Sequence, residues 1–123
     1  MITTISALDL ASGETVFRVP LSNRAGLHAT VCQDGLDIIQ SKDIRSLFMS
    51  TDGSGQYAYV SFYDPWSAGE MATLARLLVG AGRGQRVRYR DGDRTNLRLS
   101  NLRIERGAAK GVTPNARVMG GAA

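Results

Sequence analysis

The chain has 123 residues, which is enough for one domain with one hydrophobic core and too few for two ordinary domains. Its 43% hydrophobic and 21% charged residues are close to globular averages and exclude a largely disordered chain, and no segment approaches the ~20 apolar residues that cross a bilayer. The net charge of +4 is uneven, since residues 1–80 carry five basic and eight acidic side chains and residues 81–123 carry ten and three.

Two strands are predicted first. Residues 15–21 mix β-branched and aromatic residues in partial alternation, and Pro20 restricts this strand to a sheet edge or an early end. Turn residues follow at 22–26, and residues 27–32 predict a second strand that the Asp-Gly pair at 34–35 closes. We expect the two strands to pair as a hairpin or meander.

The middle of the chain contains one ambiguous segment and the strongest strand. Residues 36–48 fit neither the helix nor the strand template cleanly, so both remain open. Residues 50–55 indicate a turn, and residues 57–63 are rich in strand-forming residues. The odd-numbered residues of this predicted strand are expected to be exposed on one face, and they are Tyr57, Tyr59, Ser61 and Tyr63.

One capped helix is predicted next. Residues 67–70 have the form of a capping box, and Gly80 ends the segment. The apolar residues at helical spacing between them are Met71, Leu74, Leu77 and Leu78. With a β-hairpin after residue 85, the prediction is a single α+β domain over residues 1–106, with an antiparallel, β-rich N-terminal half. The Gly- and Ala-rich residues 107–123 are predicted to be a flexible tail.

The C-terminal hairpin carries a recognisable pattern. It consists of Val87, an Asp-Gly-Asp turn at 91–93, Arg98, and Asn-Leu-Arg at 101–103. This pattern resembles the core of small HNH homing-type endonucleases from phages and mobile elements. The similarity is most specific over residues 74–104 and places an HNH-like core at about residues 70–106. In that family a strand runs through the Asp-Gly-Asp turn and a short segment into a second strand.

The departures from the family pattern fall on its chemistry. Tyr89 stands where the resemblance implies the general-base His, Leu97 where it implies the central Asn, and Lys110 near the last metal-binding position. HNH cleavage needs a His to deprotonate water and a divalent ion to neutralise the leaving oxygen. We therefore expect no enzymatic activity, no catalytic or metal-binding residues and no cofactor.

The remaining residues with catalytic potential have structural interpretations. Asp91 and Asp93 could bind a cation but more often form such a turn. The single cysteine, Cys32, and the single histidine, His28, lie in one predicted strand. Cys32 is interpreted as a buried strand residue and His28 as a packed or half-exposed strand residue.

The resemblance implies nucleic-acid binding through arginines, and the candidate set is Arg83, Arg86, Arg88, Arg90, Arg94, Arg98, Arg103 and Arg106. A regular strand would point Arg86, Arg88 and Arg90 to one side, as a solvated face suited to phosphates. The expected partner is DNA. The alternative is a charged edge strand that only prevents aggregation.

A second class of function remains open. An inactive nuclease fold of phage origin could inhibit a host defence complex, as an anti-CRISPR or anti-restriction protein, by binding an acidic protein or a nucleic-acid-loaded nuclease. The interface would be anchored by Tyr57, Tyr59, Tyr63 and Trp66. For Tyr59 and Trp66, core packing is the favoured interpretation. For either function the protein is expected in the cytoplasm, and in the host-cell cytoplasm if it is encoded by a phage.

Overall fold

The computed structural model describes residues 2–51 and 57–106. Within these residues the chain forms eight strands, two α-helices and one 3-10 helix, and the strands lie in three antiparallel sheets. The fold is therefore α+β with a β-rich N-terminal half, as predicted. The predicted tail at 107–123 and most of the predicted turn at 50–55 lie outside the described residues.

The first sheet contains β1 (Ile5–Leu8), β2 (Thr15–Pro20) and β3 (His28–Cys32), in the order β1-β2-β3. The predicted hairpin of residues 15–21 and 27–32 is confirmed, with Val19 opposite Ala29. β2 is the central strand, and Pro20 is its last residue. Of the two positions that Pro20 allowed, the early end is therefore correct.

The ambiguous segment after β3 divides into a helix and a strand. α1 (Gln33–Ser41) begins directly after Cys32 and buries Leu36 and Ile39, and β4 (Phe48–Thr51) follows. The Asp-Gly pair at 34–35 does not close β3 in a turn, because it lies in the first turn of α1. The described residues thus contain two α-helices, α1 from the segment that the sequence left open and the one that was predicted to end at Gly80.

β4 pairs with β5 (Ala58–Asp64), which pairs with β6 (Glu70–Thr73) in the second sheet. α2 (Leu74–Val79) begins after Thr73, which makes no side-chain capping bond. The predicted capping box at 67–70 is therefore wrong. Ala68 and Gly69 have positive φ angles of 55° and 76° and lie in the turn between β5 and β6, a geometry that no helix can continue through.

Gly80 ends α2 in the left-handed conformation, as predicted, with φ of 71°. The chain then forms a two-stranded ribbon of β7 (Gln85–Tyr89) and β8 (Leu102–Arg106). A 3-10 helix (Leu99–Asn101) directly precedes β8. We call residues 91–101 the joining loop.

One hydrophobic core connects these elements. It contains side chains from both halves of the chain, among them Ile2, Val31, Leu74, Leu97 and Leu102. Cys32 is buried and unpaired, as interpreted from the sequence. Within the described ranges, no helix has the length and apolar character needed to cross a membrane.

Candidate nucleic-acid interface

Four arginines cover one side of the β7–β8 ribbon, and we call them the ribbon face. They are Arg86, Arg88, Arg90 and Arg103. All four are exposed, whereas Val87 and Tyr89 between them are half-buried against the core. Arg88 lies directly opposite Arg103 in the strand register. Because same-side residues on a strand are about 6–7 Å apart, the ribbon face presents a short, two-row array of guanidinium groups.

Glu105 brings one negative charge to this array. Its carboxylate accepts hydrogen bonds from Arg103 Nη2 at 2.8 Å and Arg88 Nε at 2.7 Å. The bond from Arg103, followed by that from Arg88, lowers the pKa of Glu105. Among the described residues, Arg86 and Arg90 pair with no carboxylate. The ribbon face therefore keeps a net positive charge at neutral pH.

Two further predicted arginines lie at the open end of the ribbon. Arg83 precedes β7 in a turn, and Arg106 is the last residue of β8, opposite Gln85. Both are exposed. They extend the positive charge of the ribbon face toward that end.

Arg98 has a structural role instead. Its Nη1 donates to Asp9 Oδ2 at 2.6 Å, its Nε donates to Glu14 Oε1 at 3.0 Å, and its Nη2 donates to Glu14 and to Ser12 Oγ. The bonds that Arg98 donates to Glu14, and next to Asp9, raise the pKa of Arg98, and the bond from Arg98 lowers the pKa of Asp9. The prediction of Arg98 as a nucleic-acid contact is corrected, because its donors already bind the β1–β2 connection.

Arg94 lies inside a group of aromatic rings that we call the tyrosine cage. Its Cζ is 4.5 Å from the ring centroid of Tyr57, 5.1 Å from that of Tyr59 and 5.9 Å from that of Tyr89. A guanidinium group over aromatic faces is attracted by their quadrupoles. Arg94 Nε is buried and has no hydrogen-bond partner. The cage thus holds a cation that no described carboxylate neutralises.

The two aspartates of the Asp-Gly-Asp turn stabilise the joining loop. The Asp91 carboxylate accepts from Asn96 Nδ2 and Asn101 Nδ2, both at 2.9 Å, and from the Asp93 N–H at 2.8 Å. These bonds, that of Asn96 most, lower the pKa of Asp91. Asp93 accepts from the N–H and hydroxyl of Thr95. Both side chains act in the turn, and the described part of the chain contains no group of three or more potential metal-binding His, Cys, Asp or Glu residues.

The two positions that depart from HNH chemistry differ in their surroundings. Burial raises the pKa of Tyr89 to about 12. Leu97 is fully buried in the core, and its N–H donates to the Thr30 carbonyl at 2.7 Å. Lys110, the third position, lies outside the described residues. His28 begins β3 as a half-buried strand residue, as interpreted from the sequence.

The predicted aromatic interface is divided in the structure. Tyr57 and Tyr59 belong to the tyrosine cage, whereas Tyr63 and Trp66 are 62% and 71% exposed near the β5–β6 turn. Trp66 is not in the core, contrary to the favoured interpretation, although its Nε1 donates to the Lys42 carbonyl at 3.1 Å. Ser61 is also not exposed as expected, because it is buried at the centre of the second sheet and bonds to Ser50.

Two arrangements were not predicted: the tyrosine cage and the ion pairs of Arg98. The sequence contained one partial signal for the cage, since Tyr57 and Tyr59 are two residues apart on a strand and share a face. No pattern of residue spacing in the sequence predicts that Arg94 packs against these two tyrosines. The Arg98 partners are 84 and 89 residues away.

No protein-family model, curated protein or solved structure matches this chain.

Proposed function

We propose that this chain binds double-stranded DNA through the ribbon face and does not cleave it. The observation that carries the proposal is the exposure of Arg86, Arg88, Arg90 and Arg103 on one side of a two-stranded ribbon. The major groove of B-DNA admits such a ribbon, and the planar guanidinium fork suits phosphate oxygens. Arg83 and Arg106 extend the contact along the DNA backbone.

Three features support binding without hydrolysis. Tyr89 has a pKa of about 12, so its phenol keeps its proton at neutral pH and cannot act as a general base there. Leu97 is a core residue with no metal-binding atom. The oxygens of Asp91 already accept hydrogen bonds from the turn and its neighbours.

The test is fluorescence anisotropy on labelled duplex DNA across a salt series. If the four arginines of the ribbon face contact phosphates, log affinity should fall with log salt at a slope of about 3–4, at ~0.9 per contact. The double variant R86A/R90A should reduce that slope by about 2. R24A is the matched control, because Arg24 is exposed in the β2–β3 turn and is not part of the ribbon face, and its slope should stay at the wild-type value.

Two results would contradict the proposal. Absence of binding at about 100 mM salt would contradict the proposal that the ribbon face is a DNA interface. Binding that R86A/R90A leaves unchanged would assign the ribbon face to solubility alone. The non-enzymatic part is tested on the same duplex with Mg²⁺ or Mn²⁺, where the DNA should remain intact and a metal-dependent product would overturn it.

One observation favours a second function, inhibition of a host defence nuclease by protein binding. Tyr63 and Met71 are directly opposed on β5 and β6, are 62% and 55% exposed, and lie near the 71% exposed Trp66. An exposed apolar patch of this kind is typical of protein interaction sites. W66A should then abolish inhibition while R86A/R90A preserves it, and the reverse result would favour DNA binding.

A further inference from the structure

We propose that a cavity beside β7 is a binding site for a single phosphate group, with Arg94 as its central donor. The cavity has a volume of about 250 Å³ and is lined by Arg86, Val87, Arg88, Tyr89, Gly92 and Arg94. Three of these six residues are arginines, and no acidic side chain lines the cavity. The site deepens the proposed DNA binding and rests on it for the source of the phosphate.

The first argument is that Arg94 is held in place without an anion. The rings of Tyr57, Tyr59 and Tyr89 surround its guanidinium group, and its Nε is buried without a hydrogen-bond partner. Partly buried cations usually have a counter-ion, because desolvation is costly. A donor that is already positioned also loses little conformational entropy on binding. A bound oxyanion would supply the missing counter-ion.

The second argument concerns the backbone beside Arg94. β7 pairs with β8 on one side, and the ladder continues through the Arg90 N–H to the Asn101 carbonyl at 2.8 Å. Antiparallel strands alternate the direction of their backbone groups, so the amides of Val87 and Tyr89 point to the opposite edge, where the cavity lies. These N–H groups add donors of the kind that bind phosphate oxygens.

The third argument is access. Gly92 is part of the cavity wall, and a Cβ built on it would have no heavy atom within 4 Å. Arg86 and Arg88 of the ribbon face also line the cavity and are exposed. A phosphate in the cavity would therefore have these two guanidinium groups beside the fixed group of Arg94.

The site can be tested without DNA. Arginine Nε–Hε signals of nitrogen-15-labelled protein are followed by NMR during a titration with inorganic phosphate, with chloride adjusted to keep the ionic strength constant. The Arg94 signal, assigned by its absence in R94K, should shift along a saturating curve, whereas that of Arg24 should not. An Arg94 shift no larger than that of Arg24 would contradict the proposed phosphate site. Both signals are compared in the wild-type protein, so the result does not depend on whether a variant folds.

The DNA experiment identifies the source of the phosphate. R94K keeps the charge but loses the planar fork, so its affinity for duplex DNA should fall about tenfold or more, while the control R24K, at an exposed arginine of the β2–β3 turn, stays near wild type. Equal loss on duplexes with and without 5′-phosphates would indicate an internal phosphodiester. Loss confined to the 5′-phosphorylated duplex would indicate a terminal phosphate.

The two proposals fail separately. Wild-type affinity of R94K on both duplexes would contradict the Arg94 site and leave DNA binding by the ribbon face intact. Saturable binding of inorganic phosphate without any duplex binding would support the site and contradict only the proposed function.

Discussion

The ribbon face and the joining loop belong to the same short stretch of sequence but differ in what their polar groups contact. On the ribbon face, Arg86 and Arg90 are exposed and pair with no described carboxylate. In the joining loop, Arg98, Asn101 and Asp91 have protein partners that connect the loop to itself and to the first sheet. Clustering of arginines along the sequence therefore does not make them one surface. Substitution of Arg98, Asn101 or Asp91 should therefore change stability, and substitution of Arg86 or Arg90 should change binding.

The largest expected effect is that of L97A in the joining loop. Leu97 is fully buried, so truncation removes apolar contacts and leaves a cavity, at a cost of about 2–5 kcal/mol in the free energy of unfolding. Denaturant unfolding measures it. I104A is the control, because Ile104 is 38% exposed on β8 and should cost less. An L97A loss no larger than that of I104A would contradict the assignment of Leu97 to the core.

N101A should have the next largest effect. The Asn101 side chain accepts from the Asp91 N–H and donates to Asp91 and to the Asn96 carbonyl, and the residue is 7% exposed. Its removal leaves partly buried groups without partners, at a cost of about 1–3 kcal/mol in unfolding free energy. S100A, at the exposed neighbour, should be nearly neutral. Equal stability of the two variants would contradict a structural role for the amide.

A comparison of R98A with R90A separates the two regions most directly. R98A breaks the pairs with Asp9 and Glu14 and should lower the melting temperature while leaving the salt slope of DNA binding unchanged. R90A should reduce the slope by about 0.9 and leave the melting temperature unchanged. Melting temperature and the salt slope of DNA binding are measured for both variants. A reduced slope in R98A would indicate that Arg98 contacts DNA.

The smallest effect is confined to alkaline pH. Burial raises the pKa of Tyr89 to about 12 from the usual value near 10, so the folded state favours the neutral phenol. This contribution to stability is fully present below pH ~10 and is lost as the pH rises toward ~12, because the unfolded state releases the proton first. Between pH ~10 and pH ~12, the melting temperature of Y89F should therefore fall less than that of the wild type. If the melting temperatures of Y89F and the wild type fall equally with pH, Tyr89 has the same pKa in the folded and unfolded states.

Local patterns predicted much of the fold. Residues 15–21, 27–32 and 57–63 were recognised as strands, Gly80 as a helix end, and the C-terminal motif as a hairpin. The start of α2 was not predicted, since the capping-box residues at 67–70 form the β5–β6 turn and β6. Strand pairing with β5 outweighed the local helix signal there.

The sequence by itself determined the strand alternation that exposes Arg86 and Arg88 and half-buries Val87, because side chains on a strand alternate every residue whatever packs against it. Only the tertiary structure decided which arginines remain available. Arg98 pairs with carboxylates of the β1–β2 connection, and Arg94 packs against Tyr57 and Tyr59 at the start of β5. Contacts between residues this far apart depend on how the sheets pack around one core, and no local pattern of charge or hydrophobicity encodes that packing.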